Sequence, residues 1–189
     1  MTGSSKHRAA VFLDRDGTIN IEKQYLHRYE DWEWIAGAIG AIKKLNDAGI
    51  LVIVITNQAG IARGMYNKTD VELLHERVSK ELQTHGAHID AYYYCPHHPD
   101  FGNKMACSCR KPAPGLLFKA QKQWDIDLNR SAIFGDKASD IEAGQAAGVE
   151  TFLVSTGYGQ LQRNLLTSEV SYVDNILMAS QVFLDKLLP

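Results

Sequence analysis

A doubly wound α/β fold with a mostly parallel sheet is what this 189-residue sequence predicts, on three observations. Apolar runs of strand length alternate with segments of helical period along the chain. The run "ILVIVIT" (50–56) is continuously apolar, as expected of a parallel strand covered on both faces. The polar clusters "LDRDGTIN", "TNQAG" and "FGDKASD" fall where such strands end, and that is the edge at which open parallel sheets build their sites.

The first run, "AAVFLD" (9–14), is short and β-rich and reads as a buried strand. In "AIGAIKKLNDAG" (38–49), Ile39, Ile42 and Leu45 share one helical face, and Gly49 suits the residue just past a helix end. The strand at 50–56 follows directly. Thr69 and Glu72 have the spacing of a capping box, which predicts a helix to about His85 with Val71, Leu74, Val78 and Leu82 inward. "IDAYYY" (89–94) is strand-like and runs into a stretch holding all three cysteines. Pro114 suits the first turn of a helix carrying Leu117, Ala120 and Trp124. "SAIFGD" (131–136), "ASDIEAGQAAG" (138–148) and "ETFLVST" (150–156) continue as strand, helix and strand, and a last helix starts near Asn175. This alternation predicts a Rossmann-like sheet with helices on both faces. No internal repeat or low-complexity linker interrupts it. The chain reads as a flexible polar tail at 1–8 and a single domain at 9–189.

An apolar content of 45% and a net charge of −2 describe an ordinary globular chain and argue against nucleic acid or an anionic membrane as partner. No apolar run nears membrane-spanning length, and "MTGSSKHR" lacks the apolar region of a signal peptide. An odd cysteine count confined to one cluster fits a reducing compartment, so a cytoplasmic monomer is expected.

Asp14 and Asp16 sit two residues apart just past the first strand, with Gly17 letting the chain turn behind them. A carboxylate is ionised at neutral pH and attacks a phosphoryl group without a base. A second carboxyl two residues on can protonate the leaving alcohol and then activate water. Two carboxylates beside a phosphate need cations, so the scheme demands a metal and a basic side chain. Asp136, at a later strand end, is a hard oxygen ligand suited to Mg²⁺, with Asp140 able to brace it and Lys137 beside it. Thr56 and Asn57 offer a hydroxyl, an amide and nearby backbone N–H groups as a phosphate cradle, and Arg110 and Lys111 add two cations. Each motif alone also reads as an ordinary turn or a solvated loop.

Cys95, His97, Cys107 and Cys109 form a Cys₃His set, the signature of a structural zinc with every position filled by protein. His98 is the rival fourth ligand, and a strained disulfide within "CSC" or buried free thiols are the other readings.

Together "DRDGT", Thr56, Lys111 and "GDKASD", in this order between Val11 and Gly157, resemble the haloacid dehalogenase-like phosphohydrolase superfamily. The resemblance implies Asp14 as nucleophile and Asp16 as general acid/base. It implies Mg²⁺ on Asp14, the Asp16 backbone carbonyl and Asp136, with Thr56 and Lys111 stabilising the transferring group. The intervals where many members carry a cap domain are too short for one here. "FLDRDGTIN", "TNQAGIARG", "YYCPHHP" and "CRKPAPG" further resemble the D-glycero-D-manno-heptose-1,7-bisphosphate 7-phosphatase family, whose zinc-loop plan is shared by histidinol-phosphate phosphatases. That resemblance implies a small phosphorylated sugar as substrate, in the route to ADP-heptose and lipopolysaccharide core. It implies substrate contacts from Arg15, Glu22, Lys23, Gln24, Tyr25, Asn57, Gln58, Ala59, Arg110 and Lys137, with Arg110 on the spectator phosphate. Gln24 stands where the family pattern has glycine, and the loop at 95–109 is a few residues shorter.

Overall fold

The computed structural model describes residues 7–103, 107–166 and 170–188. In chain order the elements are β1 (Ala10–Leu13), α1 (Ala38–Asp47), β2 (Leu51–Asn57), α2 (Ala59–Ala62), α3 (Lys68–Thr84) and β3 (Ala91–Cys95). They continue with α4 (Gly115–Trp124), β4 (Ala132–Gly135), α5 (Ala138–Ala147), β5 (Glu150–Val154), α6 (Gly159–Gln162), β6 (Ser171–Val173) and α7 (Ile176–Leu187). The strands form one sheet in the order β3-β2-β1-β4-β5-β6, and every pairing is parallel.

The alternation of side chains along each strand explains the two layers. Val11 and Leu13 of β1, with Val52 and Val54 of β2, face a core closed by α1, α3 and α7. Ala10, Phe12, Leu51, Ile53 and Ile55 point the other way, toward α4 and α5. Both faces are covered, which is why β2 reads as an unbroken apolar run. Val71, Leu74, Val78 and Leu82 all turn inward from α3, joined by His75. Burying one such side chain stabilises by about 1.5–3 kcal/mol, so this stripe docks the helix far more strongly than its cap does. α7 packs on α1 and lies on the sheet face rather than over the strand ends.

Three details differ from the sequence expectation. The capping box of α3 is Asn67 with Asp70, two residues earlier than Thr69 and Glu72: the Asp70 N–H donates to Asn67 Oδ1 and the Asn67 N–H to Asp70 Oδ2. Asn is a stronger cap than Thr, and both pairs have the required spacing. β6 is a three-residue edge strand with no apolar run to announce it. Of the tail expected at 1–8, residues 1–6 lie outside the described residues, while Arg8 exchanges backbone hydrogen bonds with Asp125 and Asp127.

The order reverses between β1 and β4, so the loops after these strands diverge and leave a crevice at their carboxyl ends. Between β1 and β2 the chain makes only a short 3-10 turn (Tyr29–Asp31) and α1, and between β2 and β3 only α2 and α3. Neither interval holds a cap domain.

Candidate active site

Asp14 follows β1 directly, and its N–H donates to Phe134 O of β4 at 3.0 Å, so the sheet itself fixes its position. Gly17 turns the chain behind it with φ of 90°, and a Cβ there would stand 2.2 Å from Asp136 Oδ2. Only glycine lets the turn after β1 approach the carboxylate after β4 so closely. The result is a cavity of about 400 Å³ whose wall includes Asp14, Asp16, Thr56, Lys111, Lys137 and Asp140.

Lys111 is buried and spends its ammonium on three acceptors: Asp14 Oδ1 at 2.8 Å, Asp140 Oδ1 at 2.6 Å and Ile55 O at 2.7 Å. Its backbone is pinned by Asn57, whose side-chain amide accepts from Lys111 N and donates to Lys111 O, both at 3.1 Å. Burial alone would lower the pKa of Lys111, but Asp14 and Asp140 outweigh it and raise it. The same pairing works in reverse on Asp14. Burial pushes its carboxyl up, and the charges of Lys111 and then Lys137 pull it below the usual value. Asp14 is therefore ionised although buried.

Asp136 is the opposite case. Burial, then the charge of Asp14, push it up to about 8. Its Oδ2 accepts from the Tyr158 N–H at 2.9 Å, while Oδ1 is buried, has no hydrogen-bond donor among the described residues and lies 3.5 Å from Lys137 Nζ. Oxygens of Asp14, Asp136 and Asp140 lie within 4.8 Å of one another. Three carboxyl groups thus share two ammonium groups, those of Lys111 and Lys137. Such an acceptor-rich, charge-deficient pocket fits a hard divalent cation. The Asp16 carbonyl also faces this space, 3.4 Å from Lys137 Nζ.

The Asp16 side chain turns away from that cluster. It accepts from Arg15, Asn20 Nδ2 at 3.0 Å and Gln58 Nε2 at 3.2 Å. Arg15, expected among the substrate contacts, is instead wholly buried: its guanidinium grips Asp16, donates to Leu26 O at 2.8 Å and meets His75 at 3.4 Å. Burial, then the Arg15 charge, keep His75 well below its usual pKa, so the ring is neutral and accepts from Arg15. Lys23 likewise leaves the cavity and pairs with Glu33 at 3.1 Å.

Glu22, Gln24, Tyr25, Gln58 and Ala59 line the cavity with the catalytic candidates. Glu22 is 3.4 Å from Lys137 and accepts from the Gln24 N–H at 2.8 Å. Arg110 stands outside the cavity wall and donates to His97 O at 3.2 Å. Tyr66, Ser139 and Tyr158 complete the wall, and the sequence reading missed all three. Tyr158 follows a strand end, the one signal that pointed to it; Tyr66 reaches the site only because the chain folds back after α2.

The structure also brings Cys95, His97, Cys107 and Cys109 together, whereas His98 Nδ1 accepts from the Asp100 N–H. Cys95 Sγ is 3.6 Å from Cys107 Sγ and 3.2 Å from Cys109 Sγ, and His97 Nδ1 is 3.3 Å from Cys109 Sγ. A tetrahedron with Zn–S of about 2.3 Å and Zn–N of about 2.0 Å has edges of about 3.5–3.8 Å, close to these separations. The four donors fit one zinc ion.

Comparison with known proteins gives the family. The HAD-hydrolase-like family model matches residues 108–177. The D-glycero-beta-D-manno-heptose-1,7-bisphosphate 7-phosphatase of Rhodopseudomonas palustris is 46% identical over 80% of this chain and 86% of its own. The D-glycero-alpha-D-manno-heptose-1,7-bisphosphate 7-phosphatase of Photorhabdus laumondii is 45% identical over 78% of this chain and 83% of its own. A crystal structure of D,D-heptose 1,7-bisphosphate phosphatase from B. bronchiseptica, complexed with magnesium and phosphate, superimposes with a TM-score of 0.86. It is 30% identical and covers 94% of this chain and 99% of its own. The chain belongs to the D-glycero-D-manno-heptose-1,7-bisphosphate 7-phosphatase family of haloacid dehalogenase-like hydrolases.

Proposed function

We propose that this protein removes the 7-phosphate of D-glycero-D-manno-heptose 1,7-bisphosphate through a phosphorylated Asp14. The carrying observation is a nucleophile kept ionised in a buried pocket, with Lys111 2.8 Å from it and a second carboxyl two residues on. Asp14 attacks phosphorus in line with the departing oxygen. Lys111 and the Thr56 hydroxyl hold the equatorial oxygens, where charge is spread in the transition state. Asp16 protonates the leaving sugar oxygen and then takes a proton from the water that cleaves the aspartyl-phosphate.

Asp14, Asp136 and the Asp16 carbonyl would hold Mg²⁺, which neutralises the approach of phosphate to this acidic pocket. The buried Asp136 Oδ1, met by the Lys137 ammonium at 3.5 Å without a hydrogen bond, supports that assignment. Cys95, His97, Cys107 and Cys109 would hold a structural zinc. With no position left for water or substrate, this ion shapes the loop and takes no part in the chemistry. Glu22, Gln24, Tyr25 and Lys137 contact the sugar, and Arg110, fixed by the His97 carbonyl, meets the distal phosphate. The setting that follows is the cytoplasmic supply of ADP-heptose for lipopolysaccharide core, by a monomer.

A phosphate-release panel with both anomers of heptose 1,7-bisphosphate, histidinol phosphate and fructose 1,6-bisphosphate tests the assignment. Selective turnover of heptose bisphosphate, with the anomeric phosphate retained by ³¹P NMR, is expected. Comparable rates on all the substrates would make this a broad sugar-phosphate phosphatase.

A further inference from the structure

Gln58 reaches two groups that the reaction uses. Its Nε2 donates to Asp16 Oδ2 at 3.2 Å and to Thr56 Oγ1 at 2.9 Å. Its Oε1 accepts from the Tyr66 hydroxyl at 2.7 Å. A side-chain amide is nearly symmetric in shape, so only its hydrogen bonds decide which end faces which partner. Turned over, Gln58 would set its carbonyl oxygen against the Asp16 carboxylate, where no donor stands between them. The Asp16 carboxylate, which only accepts, opposes this, and the Tyr66 hydroxyl donates to the carbonyl end and holds it in place. The hydroxyl remains a donor across the neutral range, because burial pushes its pKa up to about 12.

Tyr66 is itself held firmly. A Cβ at Gly60 would lie 2.1 Å from Tyr66 Cε1, so the glycine of "TNQAG" makes room for this ring. His27 stacks on the ring at 4.8 Å. The remaining contacts of Asp16 come from Arg15 and Asn20, which close the other side of its carboxylate. We propose that Tyr66 and Gln58 form a positioning relay that orients Asp16 toward the leaving oxygen of the substrate and ties its placement to that of Thr56. Both are positioning residues, since neither transfers a proton or holds the reacting phosphorus. The inference rests on the reading of Asp16 as general acid/base.

The test is a double-mutant cycle with Tyr66→Phe, Gln58→Leu and the pair, measured on heptose 1,7-bisphosphate and on p-nitrophenyl phosphate. The nitrophenolate leaves without a proton, so its single-turnover release does not need Asp16 as acid. Loss of the bond that orients Gln58 toward the Asp16 carboxylate should lower kcat on the sugar about tenfold in Tyr66→Phe, with KM within about twofold. The double variant should be no slower than Gln58→Leu. Nitrophenolate release should change by less than about twofold in Tyr66→Phe, whereas Gln58→Leu, which also frees Thr56, should slow both substrates and the sugar more. Additive losses, or in Tyr66→Phe an equal loss on both substrates or an unchanged kcat, would overturn the relay. If Tyr66→Phe is not recovered folded, Gln58→Leu carries the comparison: a loss on the sugar at least about fivefold greater than on nitrophenyl phosphate is expected, and equal losses would overturn the relay. Failure of the unsubstituted protein to hydrolyse any sugar phosphate would instead overturn the phosphatase reading, and this inference with it.

Discussion

Only Arg110 separates Cys109 from Lys111, yet the two sites they belong to are held in different ways. The aspartate pocket is built into the sheet. Asp14 is fixed by the register between β1 and β4, Lys111 is anchored on β2 through Asn57 and Ile55, and Asp136 closes against the turn at Gly17. Most of these side chains are buried, so their charges act in a low-dielectric medium and shift one another strongly. The cysteine cluster takes only Cys95 from the end of β3 and its other members from the loop beyond, where they are only half-buried, and its polar atoms meet chiefly each other. Reactive groups need a rigid, mutually charged setting. A clamp needs only four donors pointed at one spot.

The comparison breaks most visibly at Asp14. Asp14→Asn should lower turnover by more than about 10³-fold, because an amide cannot carry the phosphoryl group. Its zinc content and circular dichroism should match the parent. Substantial residual turnover would remove Asp14 as nucleophile.

At the other site, Cys107→Ser should release zinc and lower turnover about 10- to 100-fold. Slack in the loop displaces Arg110 and Lys111, and a shift of about 1 Å costs on that order. Added Mg²⁺ should not restore the rate. Zinc stoichiometry measured beside turnover checks this, and a zinc-free variant working at full rate would make the loop dispensable.

The smallest effect concerns pH. Asp136 has a folded pKa of about 8 against an ordinary 3.8. Between these values the unfolded chain has released this proton while the folded chain keeps it, so the contribution of this group to stability falls as pH rises. A divalent cation takes the proton's place. Mg²⁺ should therefore raise Tm by a few degrees near pH 8 and much less near pH 5, a difference of about 1 kcal/mol or more on the usual scale for a chain of this size. Equal shifts at both pH values, read by scanning calorimetry, would place the cation elsewhere.

Much of this architecture is legible in the residues, and the gaps have physical reasons. β2 announces itself because a strand covered on both faces must be apolar throughout, whereas β6 has three half-buried residues at an edge and no pattern to read. Asp14, Asp16 and Asp136 stand out because carboxylates beside glycine at strand ends are a local pattern. Arg15 misleads: a charged residue between two aspartates suggests an exposed contact, and its burial depends on Leu26 and His75, distant in sequence. Tyr66 is invisible for the same reason, since its value lies in a contact with Gln58 that only the turn after α2 creates. Spacing favours His97 over its rival His98 without deciding between them, and the placement of their rings tells them apart.

The division of labour between the two sites comes to one measurement: the rate of heptose 1,7-bisphosphate hydrolysis by protein that holds one zinc, in magnesium-free buffer and during titration with Mg²⁺. No turnover without Mg²⁺, and a rate that climbs to saturation while zinc content stays constant, is the predicted result. A full rate in the zinc-loaded, magnesium-free protein would contradict it and put the chemistry at the cysteines.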